Sequence, residues 1–305
     1  MLSLTFAYFT FQKKGLKRKI VIFGCGYVGG KLADKCLKLG WDVTALTRNA
    51  GTAKILESKG VDTITGQLQK QDWYTQINPE QDYIVDCVGA AEPSIEGYEH
   101  SYFLGMQSII EWIEKYQVHC KSMLFTSSTS VYPQADGALI DENADHYGVS
   151  ERGQILLNSE KLCLNVDSSR VEKSFILRFA GLYGPERHLL LNHVEEGKTI
   201  KGSGHRILNL LHQTDAVSSI LTCLQSFSVP SSSIFNVSDN KCASRMEIVE
   251  WMSNRLGLKN PGFDGKDRPG LPNRMIDSRK IQNELNWKPK YASFEQGYED
   301  LLATR

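Results

Sequence analysis

Lys19-Ile20-Val21-Ile22-Phe23-Gly24-Cys25-Gly26-Tyr27-Val28-Gly29 is the stretch that decides the fold. Its first five residues read as a buried strand, which runs straight into a G-x-G-x-x-G turn at the opening of a helix. Gly24 allows the tight turn, Gly26 lets backbone approach a pyrophosphate, and Gly29 lets the helix pack close on the strand. The helix N-terminus then offers free N–H groups and a partial positive charge to phosphates. Gly24, Gly26, Tyr27, Val28 and Gly29 are therefore the expected core of a dinucleotide site.

Outward from this turn, Val28, Leu32, Cys36 and Leu37 recur at helical spacing, and Gly40 stands where a left-handed cap belongs. A second strand at 42–46 completes a βαβ unit. Further strands are predicted at 61–64, 83–88, 122–126 and 174–178, with helices at 98–116 and 154–165. This alternation predicts an α/β chain: a Rossmann-type doubly wound parallel sheet over residues 19–180. Residues 181–305 read as a smaller, mostly irregular C-terminal substrate lobe interwoven with it, with 234–237 returning to the main sheet. Residues 1–18 read as a disordered leader, with a small membrane-touching anchor as the alternative.

The second strand ends Leu46-Thr47-Arg48-Asn49. An acid there would accept from the ribose 2′-OH of NAD, whereas an arginine accommodates a 2′-phosphate. Arg48 therefore favours NADP, with NAD as the alternative and a solvated surface charge as the competing reading.

Composition narrows the partners. Lys+Arg and Asp+Glu are both 35 in 305 residues, which argues against a general nucleic-acid or anionic-membrane binder and for a small-molecule substrate. The seven cysteines are odd in number and never form C-x-x-C, as expected of a reduced, cytoplasmic chain without a metal site. The apolar segment 2–11 is shorter than the about 20 residues that span a bilayer. Its basic cluster follows it, the wrong side for a signal peptide.

Four later segments carry a family resemblance. They are Phe125-Thr126-Ser127-Ser128-Thr129-Ser130-Val131-Tyr132, then Leu177-Arg178-Phe179-Ala180-Gly181-Leu182-Tyr183-Gly184-Pro185, Asn209-Leu210-Leu211-His212-Gln213-Thr214-Asp215 and Leu285-Asn286-Trp287-Lys288-Pro289. With the glycine turn, they make the chain resemble extended short-chain dehydrogenases, in the NAD-dependent epimerase/dehydratase branch. The resemblance implies a cofactor site that also takes in Val88 and Tyr183. It also implies an active hydroxyl at Ser128, and a tyrosine with lysine four residues later to move the proton. In such proteins the helices after the fourth and fifth strands often make a homodimer.

From the fifth strand onward, no Tyr-x-x-x-Lys spacing occurs. With Glu160 as the family's helix glutamate, the tyrosine position falls on Arg152 and the lysine position on Leu156. Arg152 stays protonated and is a poor acid or base. The chain thus resembles atypical members, such as the bacterial YeeZ-like proteins, that keep the fold and cofactor site and lose the dyad. Tyr147, which precedes the helix expected to face the cofactor, is the first candidate to replace the donor. Tyr102, His100, His119 and His146 follow, each with an ordinary packing role as its alternative. Arg178 and Tyr183 have a purely structural alternative, fixing the crossover into the second lobe.

Asp215 reads as the N-cap of a helix at 216–224. Arg187, His188, His205 and Arg206 could receive a phosphorylated substrate. Leu210 stands where related chains often carry arginine, which tells against a diphosphate-linked sugar. Two functions remain open: an NAD(P)-binding oxidoreductase or epimerase-like enzyme for a sugar-like or nucleotide-sugar substrate, and a non-catalytic NADP-binding sensor.

Overall fold

The computed structural model describes residues 17–226, 232–266 and 271–304. The leader expected over 1–18 lies outside the described residues except for its last two. Seven parallel strands form the main sheet: β1 Lys19–Phe23, β2 Asp42–Thr47, β3 Asp62–Thr65, β4 Tyr83–Asp86, β5 Ser122–Ser128, β6 Ser174–Phe179 and β7 Ser232–Val237. Their order is β7-β6-β5-β4-β1-β2-β3. The helices are α1 Tyr27–Lys38, α2 Ala50–Ser58, α3 Leu104–Lys115, α4 Glu151–Leu164, α5 Leu189–Glu195, α6 Gln213–Leu224, α7 Arg245–Leu256, α8 Arg279–Leu285 and α9 Phe294–Ala303. A short helix, Ile95–Tyr98, and a π-helical turn, Glu99–Phe103, lead into α3.

Every residue of β4 and β6 is buried, because helices cover both faces of a parallel sheet. On one face Ile20, Ile22, Leu32 and Cys36 pack with Val217 and Ile220 of α6. On the other, Phe23 meets the Trp73 ring at 5.0 Å, and Met106, Trp112, Leu156 and Cys163 close the layer. A third cluster joins Leu191 of α5, Ile248 and Met252 of α7, and Phe294 and Tyr298 of α9.

The return of β7 beside β6 matches the expected strand, which starts two residues earlier than the periodicity placed it. β4 stops at Asp86, not 88, and Val88 lies against Gly24. β5 runs on to Ser128, so the serine motif begins inside the sheet. Asp215 is not the cap of α6: His212 caps it, its Nδ1 accepting from Thr214 N at 3.2 Å. The Asp215 carboxylate instead accepts from the backbone N–H of Lys290 and Tyr291, at 2.6 and 3.1 Å. It ties the C-terminal segment to α6.

Candidate active site

Strand order reverses between β1 and β4, and ligands of doubly wound sheets bind at that switch point. A cleft of about 1240 Å³ opens there, at the carboxyl ends of the strands. One part of its wall is the glycine turn. Gly24 has φ +83°, and a Cβ on it would lie 2.6 Å from Val88 Cα, so only glycine fits. A Cβ on Gly29 would sit 2.2 Å from Gly24 O; this glycine is needed for helix-on-strand packing and lies outside the cleft wall. Gly26 has nothing within 4 Å of its missing Cβ. That vacant cradle faces the start of α1, which has neither a side-chain cap nor an acid in its first turn, so its N–H groups suit a phosphate.

Tyr27, Val28 and Val88 line the same wall. Val88 N donates to Asp86 Oδ1 at 3.0 Å. Asp86 is fully buried, and desolvation pushes its carboxyl up to about 7. Arg48 is exposed on the cleft wall beyond β2. Among the described residues, no carboxylate shares that stretch of wall; Thr47, Asn49, Thr52, Gln67 and Gln69 surround it.

The far part of the wall holds the serine motif. Ser128 Oγ accepts from Ser130 N at 3.1 Å, so its own proton is left to donate. Behind it runs a buried chain of polar groups. Ser127 Oγ donates to Glu160 Oε1 at 2.6 Å, Arg178 Nη2 donates to Glu160 Oε2 at 2.6 Å, and Arg178 Nη1 donates to Tyr132 OH at 2.7 Å. Tyr132 in turn donates to Asn236 Oδ1 at 2.8 Å. Arg178 therefore sits inside the fold and not in the cleft.

Several expected residues fall elsewhere. Tyr147 is 90% exposed and does not line the cleft, because its loop turns outward on the Asp145 carboxylate. Tyr183 is 2% exposed and also off the cleft: pairing of Gly181–Tyr183 with Leu210–His212 sends its ring into the third cluster, stacked on Tyr298 at 4.9 Å. His146 stacks on Tyr132 at 5.3 Å, and His119 meets Arg170 at 3.0 Å. Of the four basic residues proposed for a phosphorylated ligand, only Arg187 lines the cleft, its guanidinium 5.4 Å over the Tyr27 ring.

Leu156 is 2% exposed in the core. Arg152 donates to Pro93 O and lies 5.3 Å over the ring of Tyr98. The chain's one Tyr-x-x-x-Lys spacing, Tyr27 to Lys31, lies on α1, where burial pushes the Tyr27 phenol up to about 12. Tyr98, His100 and Tyr102 do line the cleft. Tyr102 OH accepts from Ala90 N at 3.1 Å, and burial holds its phenol at about 12. Among the described residues, no hydrogen-bond partner meets the Tyr98 hydroxyl. The sequence reading missed Tyr98 and Arg274, which also lines the cleft. The one usable signal was that Tyr98 and Tyr102 are four apart and share a helical face; their rings lie 5.2 Å apart.

Residues 20–238 match the model of the NAD dependent epimerase/dehydratase family. The protein YeeZ of Escherichia coli K12 is 27% identical over 275 residues, covering 90% of this chain and 96% of its own. The UDP-glucose 4-epimerase of Lactobacillus helveticus is 24% identical over 93% of this chain and 94% of its own. Among solved structures, MoeE5 in complex with UDP-glucuronic acid and NAD superposes with a TM-score of 0.80 at 20% identity, covering 92% of this chain and 96% of its own. The UDP-glucuronic acid 4-epimerase of Bacillus cereus gives 0.79 at 20% identity, over 94% of this chain and all of its own. At that identity the structural likeness establishes the fold.

Proposed function

The chain belongs to the NAD dependent epimerase/dehydratase family, and from that premise we propose that it is a nicotinamide-dinucleotide enzyme, NADP favoured, acting on a sugar-like or nucleotide-sugar substrate. The observation that carries this reading is the single cleft that joins the Gly24–Gly26 cradle to Ser128. Gly24, Gly26, Tyr27, Val28 and Val88 would hold the dinucleotide, with Gly29 setting the approach of α1 and Arg48 facing the 2′-phosphate. A bound nicotinamide supplies hydride acceptance and return.

The chain's own residues handle the proton. Ser128 donates a hydrogen bond to the substrate oxygen as it becomes a carbonyl. Tyr98, which lines the cleft, would carry the hydroxyl proton away as the hydride leaves the same carbon. The Arg152 guanidinium, 5.3 Å over the Tyr98 ring, holds that ring in place at the cleft. Tyr147 has no part in this scheme, being turned to solvent.

The test is a fluorescence titration of wild type and Arg48→Ala with NADPH and NADH. The expected result is tighter NADPH binding, weakened about tenfold in the variant, with NADH unchanged. If neither nucleotide binds at millimolar concentration, the reading is wrong. The buried Leu156 favours a second reading, an NADP sensor without turnover; NADPH binding without oxidation or epimerisation of any carboxylated or neutral sugar nucleotide would select it.

A further inference from the structure

Arg274 is 9% exposed and lines the cleft, yet among the described residues it has no counter-ion. Its Nη2 donates to Thr129 O, the residue after Ser128, while Nε is buried without a partner. Among the described residues Nη1 makes no hydrogen bond. Burial lowers the guanidinium to about 10, and the neighbour that opposes this is the Tyr132 phenol. Among the described residues no carboxylate pairs with it, in contrast to Arg178, which spends its charge on Glu160.

The backbone around Arg274 is clamped. Asn209 Nδ2 donates to Arg274 O at 2.8 Å, and Asn209 Oδ1 accepts from Ile276 N at 2.7 Å. Asn273 N donates to Gln134 O at 3.2 Å and Met275 N to Ala138 O at 2.9 Å, and Met275–Ile276 pairs with Leu139–Ile140. A long flexible cation is thus held in one place beside the reactive serine. A buried charge without a partner is costly, and the fold retains it where a ligand can neutralise it.

We propose that Arg274 anchors a carboxylate of the substrate, next to the carbon whose oxygen meets Ser128, so that the substrate class is an acidic sugar or a comparable hydroxy acid. This rests on the reading of the cleft as a dinucleotide-dependent active site. A monoanion matches one buried cation, whereas a phosphate dianion would leave a net negative charge in the same spot. The two carboxylates that line the cleft, Glu92 and Glu96, belong to the segment after β4 and not to those that hold Arg274.

The test compares matched ligands on the full chain with NADPH present at saturation, its occupancy read independently by fluorescence. UDP-glucuronic acid and UDP-glucose form one pair, and glucuronate, glucose and glucose 6-phosphate a second set, with ligand binding read by saturation-transfer NMR. Wild type is expected to favour each carboxylate over its neutral parent by about thirtyfold. Arg274→Gln should lose that preference without changing NADPH binding, and Arg274→Lys should restore part of it. Equal binding of acid and neutral ligands, a preference that survives Arg274→Gln, or a stronger preference for the 6-phosphate would overturn the proposal. If Arg274→Gln does not fold, the wild-type pairs and Arg274→Lys still decide. If NADPH does not bind, the dinucleotide reading fails separately, and the same pairs on the protein alone decide for Arg274.

Discussion

Glu160 on α4 and Arg178 on β6 form an ion pair of 2.6 Å in which both side chains are 3% exposed. The pair joins the helix that follows the serine motif to the strand beside it. Removing one partner leaves a buried charge uncompensated, which costs about 3 to 5 kcal/mol. Arg178→Leu should therefore lower the urea midpoint steeply and loosen β5 at Ser127. Ser127→Ala removes only a hydroxyl from the same network and should cost about 1 kcal/mol. Equal, small effects in both variants would mean that the network does not hold α4 on the sheet.

Gly29 and Gly26 of the glycine turn separate folding from binding. Gly29→Ala drives a methyl to within 2.2 Å of Gly24 O and should destabilise by about 1 to 3 kcal/mol or more, through overpacking. Gly26→Ala meets nothing in the protein and should shift stability by no more than about 0.5 kcal/mol. It places its methyl where a pyrophosphate would lie, however, so NADPH affinity should fall more than about tenfold. Thermal melts with and without NADPH check both.

Two buried carboxyls should each subtract stability as pH rises from about 4 to about 7, against the opposite contribution of His212, which burial lowers to about 4. Asp86 has its carboxyl raised to about 7 by burial, and Asp239 likewise. In that window each stays protonated in the folded protein while its unfolded counterpart, with an ordinary carboxyl near 3.9, is ionised. The unfolded state then binds fewer protons at these two groups, so their contribution to the slope of stability against pH is negative. Above pH 7 the full penalty is present, on the order of 4 kcal/mol for fully buried Asp86. Asp86→Asn keeps an oxygen for Val88 N–H and should flatten the melting-temperature profile between pH 5 and 8, raising stability at the alkaline end. An unchanged profile would show that Asp86 titrates normally.

Tyr98→Phe should lower kcat by about 100-fold or more with NADPH binding intact, since it removes the proton carrier alone. Tyr147→Phe should change neither kcat nor KM by more than about twofold, its side chain being solvent-exposed. The reverse pattern would return the donor role to the 147 loop.

The first βαβ unit was legible because its signals are local. An apolar run, a turn that needs positive φ and a helical period all lie within residues 19–47, and β1, α1 and β2 form there. The serine motif and the Glu160 register were legible for a similar reason, each being fixed by spacing within one element or its immediate neighbour. The donor was not. Tyr147 and Tyr98 carry the same side chain, and only the path of the loop after Asp145 turns one to solvent, while Ile95–Tyr98 brings the other to the cleft.

Arg274 shows the same limit at longer range. In sequence it is one cation in an irregular stretch; in the fold, backbone contacts with segments near 134, 138 and 209 bury it beside Thr129. Tyr183 and Asp215 also changed role once partners distant in sequence were in place, the first entering a core with Tyr298 and the second holding Lys290 and Tyr291. The sequence by itself determined the sheet, the glycine cradle and the place of Ser128, because short-range sterics and hydrophobic periodicity specify them. Only the tertiary structure decided which tyrosine and which arginine face the cleft, because burial and desolvation depend on segments far apart in sequence, such as Tyr98 with Arg152 and Thr129 with Arg274.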